Sequence, residues 1–64
     1  MLTINGKPVE AVGRTLSEYL KETGYDIKRI AVEKNGEIAP KKDYDSIVLS
    51  DGDKLEIVSF VGGG

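Results

Sequence analysis

Apolar residues along this chain alternate, then fall at helical spacing, then alternate again. At the start Leu2 and Ile4 share one face of an extended segment and Met1 and Thr3 the other. Asn5-Gly6 offers the positive φ angles of a tight turn, and Val9 to Val12 returns as the second arm of a hairpin. Two registers fit. A two-residue loop pairs Leu2 with Val9, whereas a longer loop absorbing Lys7 and Pro8 pairs Ile4 with Val9 and Leu2 with Ala11. Next, Thr15-Leu16-Ser17-Glu18 has the form of a capping box, in which hydroxyl and carboxylate each satisfy an amide at a helix start. Leu16, Tyr19, Leu20 and Thr23 then fall on one helical face, with Ser17, Glu18, Lys21 and Glu22 toward water. Gly24 suits the left-handed position past a helix end, and Tyr25 can fold back on Leu20. The pattern predicts a helix over 16–23.

Period-2 alternation resumes from Arg29 to Lys34, with Ile30 and Val32 on one face, and reaches a second turn at Asn35-Gly36. Glu37 to Ala39 returns briefly, because Pro40 lacks the amide a central strand needs. Tyr44 sits in a polar stretch and is expected to plug the core beneath a loop. Ile47 to Leu49 is a short strand candidate, Asp51-Gly52-Asp53 a turn, and Lys54 to Val61 the longest β-like run, the natural central strand. The order is hairpin, helix, hairpin, final strand. A right-handed crossover through the helix sets the last strand beside the first. The expected class is therefore α+β, a β-grasp or ubiquitin-like domain with a mixed four- to five-stranded sheet and one helix across it. It is expected to span residues 1–61, followed by a flexible Gly tail at 62–64.

Composition narrows the chemistry. With 64 residues, 39% of them hydrophobic, there is room for one small core and no cleft between domains. Lys and Arg number 9 against 11 Asp and Glu, with no long run of either sign, so nucleic acid is a poor partner. Zero Cys and zero His remove disulfides, thiolate nucleophiles and the commonest general base and metal ligand, which argues against self-contained enzymology. No stretch has the form of a leader peptide or approaches the roughly 20 apolar residues of a membrane span, so no membrane partner and a cytoplasmic location are expected.

The most informative residues are Gly62, Gly63 and Gly64. Two readings stand: a frayed terminus, or a thread without side chains that delivers the Gly64 carboxylate as the reacting group into another protein's narrow active site. Extended, Val61 to Gly64 reach about 13–14 Å, enough to enter a buried pocket. Ordering each Gly costs roughly 1–2 kcal/mol, so a docking patch elsewhere must offset it. In the last strand Leu55 and Ile57 continue the core-facing parity, and Val58 and Phe60 share the other face with Glu56. An exposed patch of Val58, Phe60, Glu56 and Val61, rimmed by Asp51 and Asp53, has the makeup of a small interface. The opposite assignment buries Val58 and Phe60 and turns Leu55 and Ile57 outward. Asp43, Asp45, Asp51 and Asp53 lack calcium-loop spacing and read as turn formers, so no metal site is expected.

The chain resembles the sulfur carrier proteins of thiamine biosynthesis, small β-grasp proteins ending in Gly-Gly. The likeness runs through Ile4-Asn5-Gly6, Thr15-Leu16, Ala31-Val32-Glu33 with Asn35, Pro40, Leu49-Ser50-Asp51-Gly52-Asp53, Glu56-Ile57-Val58 and Val61-Gly62-Gly63-Gly64. The resemblance implies a carrier, not an enzyme. An activating enzyme related to ubiquitin-activating enzymes, using ATP and magnesium, would adenylate the Gly64 carboxylate. A sulfur donor protein would displace AMP to leave a thiocarboxylate, and thiazole synthase would consume it. Gly63 would let the tail thread and Gly62 would extend it, and the chain itself would bind no cofactor. Small subunits of molybdopterin synthase and other Gly-Gly carriers, including those of cysteine synthesis or protein tagging, share the fold and tail. A β-grasp binding module without covalent chemistry is the alternative from another class.

Overall fold

The computed structural model describes residues 1–60. Strand β1 (Thr3–Ile4) turns at Asn5-Gly6 into β2 (Lys7–Pro8), and helix α1 (Leu16–Thr23) follows. A short 3-10 turn (Ile27–Arg29) leads to β3 (Ile30–Lys34) and β4 (Glu37–Ile38). A second 3-10 turn (Lys41–Asp43) precedes β5 (Lys54–Ser59). The sheet order is β2-β1-β5-β3-β4, with β1 parallel to β5 and every other pair antiparallel. The last strand is central and lies beside the first, as a crossover through α1 requires.

Both Asn-Gly pairs have positive φ at each residue (55° and 79°, 53° and 84°), the geometry of type I′ hairpin turns. The first hairpin takes the two-residue loop, with Ile4 opposite Lys7 and the Val9 amide bonded to the Leu2 carbonyl at 3.0 Å. Its return arm is shorter than the apolar run Val9 to Val12 suggests. After Val9 the chain leaves the sheet, and Val12 is exposed. The segment Ile47 to Leu49 forms no strand of the sheet; a bridge between Thr15 and Val48 laces it to the entry of α1, with Leu49 donating to the Arg14 carbonyl at 2.8 Å.

Helix α1 starts and stops as its caps dictate. The Thr15 hydroxyl accepts from the Glu18 amide, and the Glu18 carboxylate accepts from the Thr15 amide at 2.9 Å. The Thr15 amide first, and second the Thr15 hydroxyl, which also donates to the Glu18 carboxylate at 3.2 Å, hold the Glu18 pKa below its ordinary value. At the far end Gly24 adopts φ 83°, which an L side chain resists. The Tyr25 and Gly24 amides reach back to the Leu20 and Lys21 carbonyls at 3.0 and 3.3 Å, a Schellman stop. Leu16 and Leu20 are buried completely and Tyr19 is half-buried, but two face assignments change. Ser17 is buried, because its hydroxyl donates to the Asp45 carboxylate and its amide to the Tyr44 carbonyl. Thr23 is exposed, since its hydroxyl turns back to the Tyr19 carbonyl at 2.9 Å.

The core between helix and sheet gathers Leu2, Ile4, Leu16, Leu20, Ile30, Val32, Leu49, Leu55 and Ile57, with Tyr44 closing it at 2% exposure. Burial raises the Tyr44 pKa. Two side-chain amides fasten β5 where strand pairing stops. Asn5 accepts from the Ile57 amide (2.6 Å) and donates to its carbonyl (3.2 Å), standing in for a β1 residue. Asn35 accepts from the Lys54 amide (2.9 Å) and donates to Asp53 (3.1 Å). Among the described residues, no helix is long and apolar enough to cross a membrane.

Candidate functional site

The site is organised by β5, the strand that runs into the tail. Its side chains alternate: Leu55 and Ile57 are buried at 0% and 7%, while Val58 and Phe60 are 54% and 52% exposed, and Glu56 is exposed with them. Val58 and Phe60 therefore lie on the open side of the sheet, and the opposite assignment is excluded. The Phe60 amide bonds the Arg29 carbonyl at 2.7 Å, so pairing with the β3 side persists to the last described residue. Val61, Gly62, Gly63 and Gly64, and with them the expected boundary between domain and tail, lie outside the described residues.

Strand pairing adds residues that the chain pattern alone did not bring together. Val58 stands opposite Ala31, and Glu56 opposite Glu33, which in turn faces Ile38 of β4 at 75% exposure. The open face is thus an apolar set of Val58, Phe60 and Ile38 around two adjacent carboxylates. Directly opposed like charges are mildly destabilising in an exposed ladder, and a partner cation would relieve them. Finding Ile38 and Glu33 from sequence needed the β3–β5 register, which two adjacent apolar runs do not fix.

Asp51 and Asp53 do not rim this patch. They precede β5, at the strand end remote from Phe60. Asp51 pairs with the Met1 ammonium at 2.5 Å, which keeps its pKa low. Asp53 is nearly buried and is held by the Asn35 amide, the Ser50 amide (3.0 Å) and Lys34 (3.8 Å). Burial pushes the Asp53 carboxyl up, but those three partners together outweigh it and its pKa falls below the ordinary value. Two shallow grooves flank the sheet, one beside β2 from Met1 to Val12 and one beside the β3–β4 turn, and neither is lined by Val58 or Phe60. What the described geometry offers is an open, partly apolar platform on β5, and among the described residues no group of acidic side chains is placed to hold a metal ion.

A single helix laid across a mixed sheet with a parallel central pair of first and last strands is the β-grasp, ubiquitin-like fold. The chain belongs to the ThiS family, whose model matches residues 2–64. It is 41% identical over 66 aligned residues to the sulfur carrier protein ThiS of Bacillus subtilis, covering 100% of both chains. It is 47% identical over 64 residues to a thiazole synthase of Paramagnetospirillum magneticum, where it covers 98% of this chain but spans only 20% of that protein's length. The crystal structure of the thiamine biosynthesis protein ThiS from Geobacter metallireducens superposes with a TM-score of 0.80 at 34% identity, covering 98% of this chain and 97% of that one.

Proposed function

We propose that this protein is a sulfur carrier of thiamine biosynthesis that acts as a co-substrate, with the Gly64 carboxylate as the reacting group. A carboxylate resists nucleophiles until one oxygen becomes a good leaving group. An adenylating enzyme supplies this by letting the carboxylate attack the α-phosphorus of ATP, magnesium being held with the nucleotide, with release of pyrophosphate. Hydrosulfide, released by a sulfur donor protein, then adds to the carbonyl carbon, AMP departs with the electron pair of the broken C–O bond, and a thiocarboxylate remains once the thioacid loses its proton. Thiazole synthase takes the sulfur from it. The chain's own part is mechanical: Gly62 and Gly63 thread, Val61 joins thread to domain, and the face of Val58, Phe60 and Glu56 docks. Docking energy of this kind is what offsets the cost of ordering the tail.

The observation that carries the reading is the match with a named sulfur carrier that covers all of both chains. The likeness to part of a thiazole synthase supports that enzyme as the acceptor. The test is an intact mass spectrum after incubation with a carrier-adenylating enzyme, ATP, magnesium and sulfide. Replacement of one oxygen by sulfur, localised to Gly64 by fragmentation, is expected. It should be lost on deleting Gly64 or in Gly63→Val, with thermal unfolding unchanged. No replacement by an enzyme that converts another carrier would refute the reading.

A further inference from the structure

The two hairpin turns carry chemistry that the carrier function leaves unused. In Asn5-Gly6 and in Asn35-Gly36 a side-chain amide precedes a glycine, the residue that least obstructs attack by its own backbone nitrogen. The step is spontaneous and needs only water. The glycine nitrogen, giving its proton to hydroxide or another base, adds to the Asn Cγ. The bond from Cγ to Nδ2 breaks, and ammonia leaves with a returned proton, closing a cyclic succinimide. Water then opens the ring at either carbonyl, giving an aspartate linked through its α- or its β-carboxyl, with one water taken up for each ammonia lost. On both turns the nucleophile is open. Neither the Gly6 nor the Gly36 amide donates a hydrogen bond among the described residues, both glycines are exposed, and nothing lies within 4 Å of where a Cβ would be. The electrophile is closed. Asn5 is held at both ends of its amide by the Ile57 backbone, at 2.6 and 3.2 Å, and Asn35 by the Lys54 amide and the Asp53 carboxylate, at 2.9 and 3.1 Å. Closing the ring makes Cγ tetrahedral and draws it off β5 toward the glycine, so both bonds must break first.

We infer that Asn5 and Asn35 are deamidation sites that the folded domain holds shut, and that a chain converted while its turn is off β5 cannot refasten it. At Asn35 the α-linked product puts a carboxylate where Nδ2 donates now, against Asp53. The Asp53 carboxylate is nearly buried and already takes the Ser50 amide at 3.0 Å and Lys34 at 3.8 Å, so two negative charges would meet in a site that holds one. At Asn5 the product sets a carboxylate oxygen against the Ile57 carbonyl oxygen, two acceptors with no proton between them. The β-linked product is worse on either turn, because it adds a methylene to the main chain of a loop whose two residues set the strand register. Because ammonia is lost, conversion runs one way. β5 is the central strand, so releasing it belongs to the costly end of local openings and is rare in an intact domain. Each turn therefore makes an opening permanent, and an aged chain loses the fastening of its last strand.

The test is peptide mapping by mass spectrometry on the full chain, incubated at mildly alkaline pH in buffer and in urea, reading exchange of NH2 for OH at each Asn. Conversion at both positions should run at least about tenfold slower in buffer than in urea, and equal rates would overturn the protection. Asp53→Ala removes the acceptor of the Asn35 amide and should raise the rate at Asn35 relative to Asn5 in the same molecule by at least about threefold. Thr15→Ala, which loosens the domain through the α1 cap and touches neither turn, should leave that ratio unchanged. A ratio unmoved by Asp53→Ala, or moved equally by Thr15→Ala, would mean that the hydrogen bonds hold nothing shut. Asn35→Asp should lower Tm by at least about 4 °C and cost less in the Asp53→Ala background, where the opposing carboxylate is gone. An equal loss in both backgrounds would rule out the clash. The comparison of buffer with urea on the parent chain stays decisive even if Asp53→Ala unfolds.

Discussion

Removing the Asn5 side chain should unfasten the central strand. Its amide makes two hydrogen bonds to the Ile57 backbone, at 2.6 and 3.2 Å, and the residue holds φ 55°. Asn5→Ala leaves the Ile57 N–H and C=O without their partner, at roughly 0.5–1.5 kcal/mol each, and forces a methyl-bearing residue into the left-handed region for about 1 kcal/mol more. The expected loss is about 2–4 kcal/mol, a large share of the roughly 3–10 kcal/mol a domain of this size has in total. Asn5→Gly relieves the φ cost but not the lost bonds, so it should sit between, about 1–3 kcal/mol below the parent. Urea unfolding followed by far-UV circular dichroism measures both, and each kcal/mol should lower Tm by about 4–8 °C. If Asn5→Gly matched the parent while Asn5→Ala did not, the side chain would matter only through φ, and the claim that it substitutes for a strand would be refuted.

Three further outcomes are expected. Phe60→Ala should cost less than about 1.5 kcal/mol in urea unfolding, because the ring is half exposed, while weakening binding to the adenylating enzyme tenfold or more; a loss of about 3–5 kcal/mol would place it in the core instead. Thr15→Ala should lose about 1 kcal/mol and lower Tm by roughly 4–8 °C in a thermal melt, and no change would mean that the capping box is idle. Asp53→Ala should destabilise by about 1–3 kcal/mol near neutral pH. Because the folded pKa of Asp53 is lowered, its contribution is present above the unfolded value near ~3.9 and is lost as pH falls through the folded one. The gap between parent and variant should therefore close below about pH 4, and a gap constant down to pH 2 would count against the carboxylate's role.

The elements that punctuate themselves were legible in the sequence. Thr15 with Glu18 starts α1 and Gly24 stops it, both by bonds within a few residues, and the two Asn-Gly pairs set their turns the same way. Parity along β5 correctly separated Leu55 and Ile57 from Val58 and Phe60, because a period of 2 is intrinsic to a strand. What local pattern could not show was long-range polar satisfaction. Asp53 and Ser17 look like solvent-facing residues until Asn35 and Asp45 arrive from distant segments to bond them. The second task of Asn5 and Asn35, fastening β5 from both sides, was hidden for the same reason: the sequence separation to Ile57 and Lys54 is far longer than a turn. Glu33 and Ile38 joined the open face only through cross-strand register.

The position of β5 between β1 and β3 also has a mechanical meaning. A pull applied along the axis of this strand acts at right angles to the antiparallel hydrogen bonds that tie it to β3. Such a load is carried by many bonds in shear at the same moment, whereas a strand at the sheet edge peeled sideways would give way one bond at a time. The parallel neighbour β1 and the clamp at Ile57 resist from the other flank. A load along the axis of β5 would thus be shared across the sheet.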